Sequence, residues 1–562
     1  MKKQISHEAY ALADKAYAVL LGNDFNMALK DLAPLMDAEF PDISYEAVAS
    51  KAKACKELIA ECDALIDAGA SHDDRMLLGI IKYKAELPVA NEEFFWNRFD
   101  YEPFFNPVTL YLPQVPTIPN NTPEHAALKV RLFEGCAKLV GDMYAKAAAQ
   151  MERGIMMPKA MVKIAVEAFG VYIYENPEDC PYTIGESNTF DITPYRTQVH
   201  QAVTSLSDNA RKLVTLLQGP YYEKAPSEVG LWQYPSGKEY YQSCIREHTS
   251  LNICGEDIFR LAANLLEKME ERMAEIRQQE GYHCTHEEFT RQIMEDPKWV
   301  MNTPEEFGER LNSCVKKILP LMDDHFGVHI NTPCAAVRVS PELEPYYANG
   351  IYTPASPVRK IPQGNYHYNG INVQKKNPLK TEALSYHELI PGHHYQFSVV
   401  QELEDLHPFC KAFMVTAYNE GWAEYAAAYV GEMGLYSSPL SEYGRLEQDI
   451  YITNFLVIDS GLNAMAIPLE EMKKKLAPYL PDYPGPALER QIIRIAEALP
   501  GFSLAYKLGS VKMQEYRKYA QDRLGDRFDV KEFHKTMVEW GAVPLDLLKE
   551  HIDYYIEQTL EA

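Results

Sequence analysis

Ten cysteines in 562 residues include no C-x-x-C pair. That scatter suits reduced, buried thiols better than a disulfide framework. No stretch of about 18 uncharged apolar residues occurs anywhere, so no membrane-spanning helix is expected. The first residues carry His7, Glu8, Asp14 and Lys15 where a secretory signal needs a continuous apolar run. A cytoplasmic location follows as the expectation. Positive charge is also short: 55 Lys and Arg face 80 Asp and Glu, a formal net charge of -25. A surface of that sign is not built to neutralise nucleic-acid phosphates or anionic lipid, so neither is an expected partner. No internal repeat and no low-complexity linker divides the chain.

What remains is the composition of a large ordered protein, 46% hydrophobic and 24% charged, with 37 Tyr, 21 Phe and 5 Trp. Apolar residues recur at helical spacing near the start (Ala9, Leu12, Ala13, Ala16, Leu20) and again at Cys55, Leu58, Ile59, Cys62 and Ile66. The pattern resumes over 125–171 and 256–321, with Leu261, Leu265, Leu266, Met269 and Met273 on one face. The segment 88–123 is rich in Pro, Asn and aromatics and reads as an extended connection. Three short stretches, 334–339, 350–354 and 366–373, are bounded by Pro, Gly and Asn and read as strands of one small sheet. After Pro378 the pattern is helical to the end, with Asp529 and Glu532 opening one helix and Gly541 and Pro544 closing it. The expected fold is therefore mainly α: a large two-lobed helical body with a small β-sheet. Its lobes are expected at 1–330 and 331–562, joined as one continuous unit.

The chemistry concentrates in one run, Thr381-Glu-Ala-Leu-Ser-Tyr-His387-Glu388-Leu-Ile-Pro391-Gly392-His393-His394-Tyr-Gln396. Asn377 and Pro378 are placed to cap and open the helix that carries His387 and Glu388. Imidazoles and carboxylates are metal ligands, and a Glu beside the first ligand is the usual general base of a metal-dependent hydrolase. The H-E-x-x-H pattern works because residues at i and i+4 share a helix face. Here i+4 is Pro391, and His393 at i+6 would sit roughly 120° round and about 9 Å along an ideal helix. Pro391 disfavours helix at Ile390 and Gly392 permits almost any conformation, so a distortion there can return His393 to the ligand position. A third ligand has to come from elsewhere. Glu420 and Glu424 lie at i and i+4 in Asn419-Glu-Gly-Trp-Ala-Glu-Tyr425, on the face opposite Trp422 and Tyr429. Either completes two-His-one-Glu coordination with one position left open.

These residues resemble the signatures of the bacterial family known as domain of unknown function 885. The run 386–396 is similar to its first motif, Glu420-Gly-Trp-Ala-Glu-Tyr425 to its second, and Pro500-Gly-Phe-Ser-Leu-Ala-Tyr506-Lys507-Leu-Gly509 to its third. Gly364-Asn-Tyr-His-Tyr-Asn369 resembles the extended segment before the first motif. The resemblance implies a helical fold akin to the gluzincin peptidases. It further implies a zinc ion on His387, His393 and Glu420, with Glu388 activating water; the helical N-terminal half would then wall a cleft, which favours short peptides as substrates. His393 is preferred to His394 because a Gly-His step precedes the second ligand in several gluzincins, which leaves His394 either supporting a ligand from behind or facing substrate. Tyr506 and Lys507 become candidates for stabilising an oxyanion or binding substrate. The strand around Tyr366 to Asn369 becomes a candidate edge for an extended peptide. Of the other histidines, His325 and His329 have i, i+4 spacing but no adjacent Glu, and Gly327 weakens the helix between them. His283 and His286 beside Cys284 are a weaker pattern still.

Overall fold

The computed structural model describes residues 3–22, 38–344, 350–356, 361–480 and 483–562. Its longer helices are α1 (His7–Leu20), α2 (Tyr45–Asp67), α3 (His72–Glu93), α4 (Pro123–Glu152), α5 (Thr193–Leu216), α6 (Gly255–Gln279) and α7 (Pro304–Ile318). After a short sheet come α8 (Thr381–Glu388), α9 (His393–Glu402), α10 (Thr416–Glu432), α11 (Pro439–Asn463), α12 (Leu504–Leu524) and α13 (Leu545–Glu561). Many starts are fixed locally by a hydroxyl. Ser6, Ser44, Ser71 and Thr303 each accept a hydrogen bond from a first-turn N–H that the helix cannot satisfy itself. Asp529 does the same for Lys531 and Glu532, as the sequence predicts.

The protein is mainly α. Its sheet has three strands, β1 (Cys334–Arg338), β2 (Gly350–Thr353) and β3 (Gly364–Tyr368), in the order β1-β3-β2. β3 pairs parallel with β1 and antiparallel with β2. Two expectations are corrected here. The third strand ends at Tyr368, and Val373 lies in a 3-10 turn beyond it. More consequentially, β3 is the central strand, bonded on both sides, so Tyr366 to Asn369 offer no free edge to a peptide. A third correction concerns Pro88, which lies inside α3: the helix continues to Glu93 and the irregular stretch starts only there.

One contiguous buried core runs from Ala9 to Ile556. The C-terminal helix α13 packs on both α12 and α3, and α6 packs along α11, so early and late helices share their apolar faces. A smaller core under the sheet joins Phe307 and Leu311 of α7 to Ala336, Tyr366, Tyr368 and Leu389. Leu389 follows Glu388 directly, so that core anchors the end of α8 against the sheet. All ten cysteines are free thiols, seven of them buried. No helix among the described residues is long and apolar enough to cross a membrane.

Two close approaches fix α10 against α12. A Cβ on Gly509 would lie 1.9 Å from the Ala417 carbonyl oxygen, and one on Gly421 would lie 2.5 Å from Gly509 Cα. Neither position has room for a methyl group, which explains a glycine in each of the second and third motifs. Gly509→Ala is expected to force the two helices apart at a cost of about 1–3 kcal/mol. The check is a lowered thermal midpoint at fixed scan rate.

Behind the third motif two carboxyls are buried together. Asp459 accepts from Tyr241 Oη at 2.6 Å and from Gly501 N at 2.8 Å, while Glu497 accepts from Gly230 N at 2.6 Å. Burial pushes Asp459 up to about 7 and Glu497 up to about 8, the latter helped by the charge of Asp459. The native state thus holds protons that the unfolded chain has already lost above about pH 4. Their contribution to stability is complete below that pH and is lost as pH rises through 7 to 8. Thermal midpoints measured from pH 5 to 9 should fall along this window, and Glu497→Gln should flatten the fall.

Candidate metal centre

The helix carrying His387 does not kink; it ends and restarts. Asn377 caps a 3-10 turn that runs into α8, which stops at Glu388. Leu389 leaves the helical region (φ -101, ψ -121), the Ile390–Pro391 peptide is cis, and Gly392 is again outside both helical and extended regions (φ -77, ψ -129) before α9 begins at His393. The connection folds back tightly on α8: a Cβ on Gly392 would lie 1.9 Å from the His387 carbonyl oxygen. Trp422 of α10 donates its indole N–H to the Pro391 carbonyl at 2.9 Å, tying the second motif to the first. The result sets the His387 and His393 rings edge to face, 4.7 Å apart.

Glu420 of α10 completes the constellation. Its Oε2 lies 3.8 Å from His387 Nε2 and 3.4 Å from His393 Nε2, and one ligand atom from each of the three falls within 4.8 Å of the others. Two ligands each about 2.0–2.1 Å from a tetrahedral zinc sit roughly 3.4 Å apart, so these spacings suit one ion. Among the described residues no other group of His, Cys, Asp and Glu converges in this way. The remaining candidates separate. Glu424 turns to the far side of the first imidazole, with Oε1 3.2 Å from His387 Nδ1, the orienting contact that carboxylates give metal-bound histidines. His394 points elsewhere: Nε2 is 2.8 Å from the Thr332 carbonyl and Nδ1 is 3.0 Å from Tyr352 Oη. His393 Nδ1 is buried without a hydrogen-bond partner.

The side chains of His387, His393, Glu420 and Glu424 keep 10–16% exposure, so the recess admits water. Its charges are unbalanced, with Glu388, Glu420 and Glu424 around two imidazoles. Burial would lower the His387 pKa, but Glu424, by charge and hydrogen bond, with Glu388 and Glu420, raises it to about 9. Burial raises Glu388 above the usual carboxylate range despite both histidines. Glu420 is held low: burial opposes ionisation, but His393 and then His387 outweigh it. Tyr506 is pushed well up by burial and by the charges of Glu420, Glu388 and Glu424. Its hydroxyl stays protonated and has no hydrogen-bond partner among the described residues. A divalent cation neutralises this excess of buried negative charge better than protonation of one imidazole does, and the donor set fits one. The unpartnered His393 Nδ1 is the one feature that a finished metal site would not need.

Glu424→Gln keeps the shape of the contact to His387 but removes its charge. Metal affinity is expected to fall about 10–100-fold, with the three ligands in place, as read by competition with a chromophoric chelator.

Two of the sequence-derived candidates lie away from the recess. Lys507 is bound to Asp449, which also holds Arg445 at 3.3 Å. Those three line a cavity of about 910 Å³ between α6, α10, α11 and α12, which none of the clustered His and Glu residues lines. Tyr366 is buried in the small core, with its hydroxyl over Gly350. His325 and His329 do not share a helix, because the short helix from Met322 ends at His325. His325 meets Tyr429 Oη and His329 meets Asp323. His286 is engaged by Tyr443 Oη. Tyr352 was missed: it is one of 37 tyrosines, in a four-residue strand, and no spacing distinguishes it.

The fold and this cluster define a class: large, mainly α proteins with a two-His, one-Glu constellation able to hold a metal ion. The chain belongs to the family described as "Bacterial protein of unknown function (DUF885)", whose profile matches residues 17–552. Two solved structures share the whole fold. A candidate lipoprotein from Colwellia psychrerythraea is 22% identical over 98% of both chains with a TM-score of 0.81. A candidate lipoprotein of unknown function from Shewanella oneidensis is 15% identical, covering 97% of this chain and 98% of that one, with a TM-score of 0.74. No curated protein matches the chain.

Proposed function

We propose that the chain is a zinc-dependent hydrolase that cleaves peptide bonds of short peptides, with Glu388 as its general base. The observation that carries the reading is the convergence of His387, His393 and Glu420 from three helices, with the Glu388 carboxylate beside them. Zinc, when bound, supplies Lewis acidity: it polarises a carbonyl and makes water a stronger acid. The rest falls to the chain. Glu388, raised by burial, takes a proton from water on one carboxylate oxygen and returns it to the departing amine. Tyr506, protonated and uncommitted, is the group able to donate to a developing oxyanion. Lys507 is left out of that role because Asp449 holds its ammonium group.

The test is metal content by mass spectrometry on purified protein, with a peptide-library digest read by product masses. Stoichiometric zinc with peptide cleavage that chelator abolishes is expected. Zinc-loaded protein that turns over only esters or non-peptide amides would reassign the substrate. Tight peptide binding without turnover would make it a binding protein of the same fold. We keep a cytoplasmic location as part of the proposal; recovery in a membrane fraction would overturn it.

A further inference from the structure

The cavity between α6, α10, α11 and α12 gathers positive charge in a protein whose formal net charge is -25. Three buried cations line it: Arg445 of α11, and Lys507 and Arg517 of α12. Their side chains keep 19%, 5% and 14% exposure, so solvent screens them little. Against them stands one buried carboxylate, Asp449, at 17% exposure, and it is shared. Lys507 is bound to it, and Arg445 Nη1 lies 3.3 Å from its Oδ2. Burial opposes ionisation of Asp449, but Lys507 and then Arg445 outweigh it. Its single charge therefore answers only one of the two. Arg517 pairs with Glu432, whose side chain is 58% exposed, so solvent weakens what that carboxylate contributes. The third lining carboxylate, Glu442, is held from outside the cavity by Arg272 at 3.2 Å. Of the exposed lining cations, Lys518 is paired with Asp522, while Lys268 has no ion pair among the described residues. The buried groups are left with two positive charges in excess.

A buried charge without a partner is costly, and a cleft lined by one sign concentrates ions of the other. The donors are also held in place. The Arg517 guanidinium lies over the rings of Tyr425 and Tyr429, 5.5 and 5.1 Å from their centroids. Guanidinium groups present a fork of N–H donors that matches a carboxylate or phosphate. Leu265, Met269 and Pro439 supply apolar lining, and about 910 Å³ is room for much more than a bare inorganic ion. We propose that this cavity binds a small organic dianion, a phosphate monoester or a dicarboxylate with an apolar body, through Arg445, Lys507 and Arg517. The site is separate from the metal centre, since neither His387, His393 nor Glu420 lines it, and it does not depend on the hydrolase reading.

The experiment is calorimetric titration of the full-length protein with phenyl phosphate and with phenylsuccinate, which share an apolar ring and differ in the anionic head. Benzoate is the monoanionic comparison. At least one dianion should bind with 1:1 stoichiometry, about 10-fold or more tighter than benzoate, and should raise the thermal midpoint. Preference for phenyl phosphate identifies a phosphate ester as the ligand class, and the reverse preference a dicarboxylate. Arg517→Gln should weaken binding about 10- to 100-fold. Asp449→Asn removes the only buried carboxylate and should tighten binding about 10-fold, a gain that a damaged fold does not produce. Should Asp449→Asn fail to fold, Arg517→Gln decides alone. His393→Ala, which lacks a metal ligand, should bind the dianion as the wild type does. No binding of either dianion at 5 mM, equal affinity for benzoate, or unchanged affinity in Arg517→Gln overturns the proposal. So does weaker binding in folded Asp449→Asn, or loss of binding in His393→Ala, which would place the anion on the metal.

Discussion

His393→Ala should leave the purified protein without metal, while His394→Ala should retain it. The two histidines are neighbours in sequence, yet only His393 turns its Nε2 toward Glu420, at 3.4 Å, with the His387 ring 4.7 Å away. His394 spends both nitrogens on Thr332 and Tyr352. Removing one of three protein ligands has to cost more than the ~10–100-fold that loss of a supporting contact costs. The His393 variant should therefore lose essentially all zinc through gel filtration in dilute chelator, read by mass spectrometry. Equal retention in both variants, or loss only in His394→Ala, would show that the wrong ring has been assigned. Glu420→Gln serves as the companion: it keeps the volume but weakens the anionic ligand, and zinc occupancy should fall with it.

The second large effect is on chemistry alone. Glu388→Gln is expected to lower kcat by about 10²–10⁴ with bound zinc intact. Glu388 sits beside the constellation without being one of its three converging donors, so an isosteric amide leaves the ion's ligands untouched and removes only the proton acceptor. The wild-type pH profile carries the matching signature. A general base works deprotonated, so activity is lost as pH falls through its pKa, and burial sets that fall above the ordinary range of an exposed glutamate. The variant's residual activity should lack this acid limb. A variant that keeps wild-type turnover would remove Glu388 from the mechanism and leave the metal assignment standing.

Much of this was legible in the chain because it depends on neighbours in sequence. Helical periodicity, hydroxyl caps and the density of His and Glu around 387–396 are local facts, and they placed the fold class and the cluster. The limits were equally physical. The 3.6-residue repeat says where side chains point only while the helix lasts, and α8 ends at Glu388. Past that point the choice between His393 and His394 depended on a fold-back held by Gly392 against the His387 carbonyl and by Trp422 on Pro391. Strand order had the same character. Tyr366 looked available until β1 and β2 were seen on either side of it.

Amino-acid sequence by itself determined the helical class, the reduced thiols, the acidic surface and the set of side chains that could hold a metal. Tertiary structure alone decided how they divide the work. Glu420 and Glu424 share a helix face, and only the position of His387 between them makes one a candidate ligand and the other its support. Gly421 and Gly509 acquire meaning from the helix each one touches. Tyr352 enters the site from a strand separated from its partner His394 by 42 residues. Contacts of that range are chosen by packing of the whole core, which no local pattern encodes.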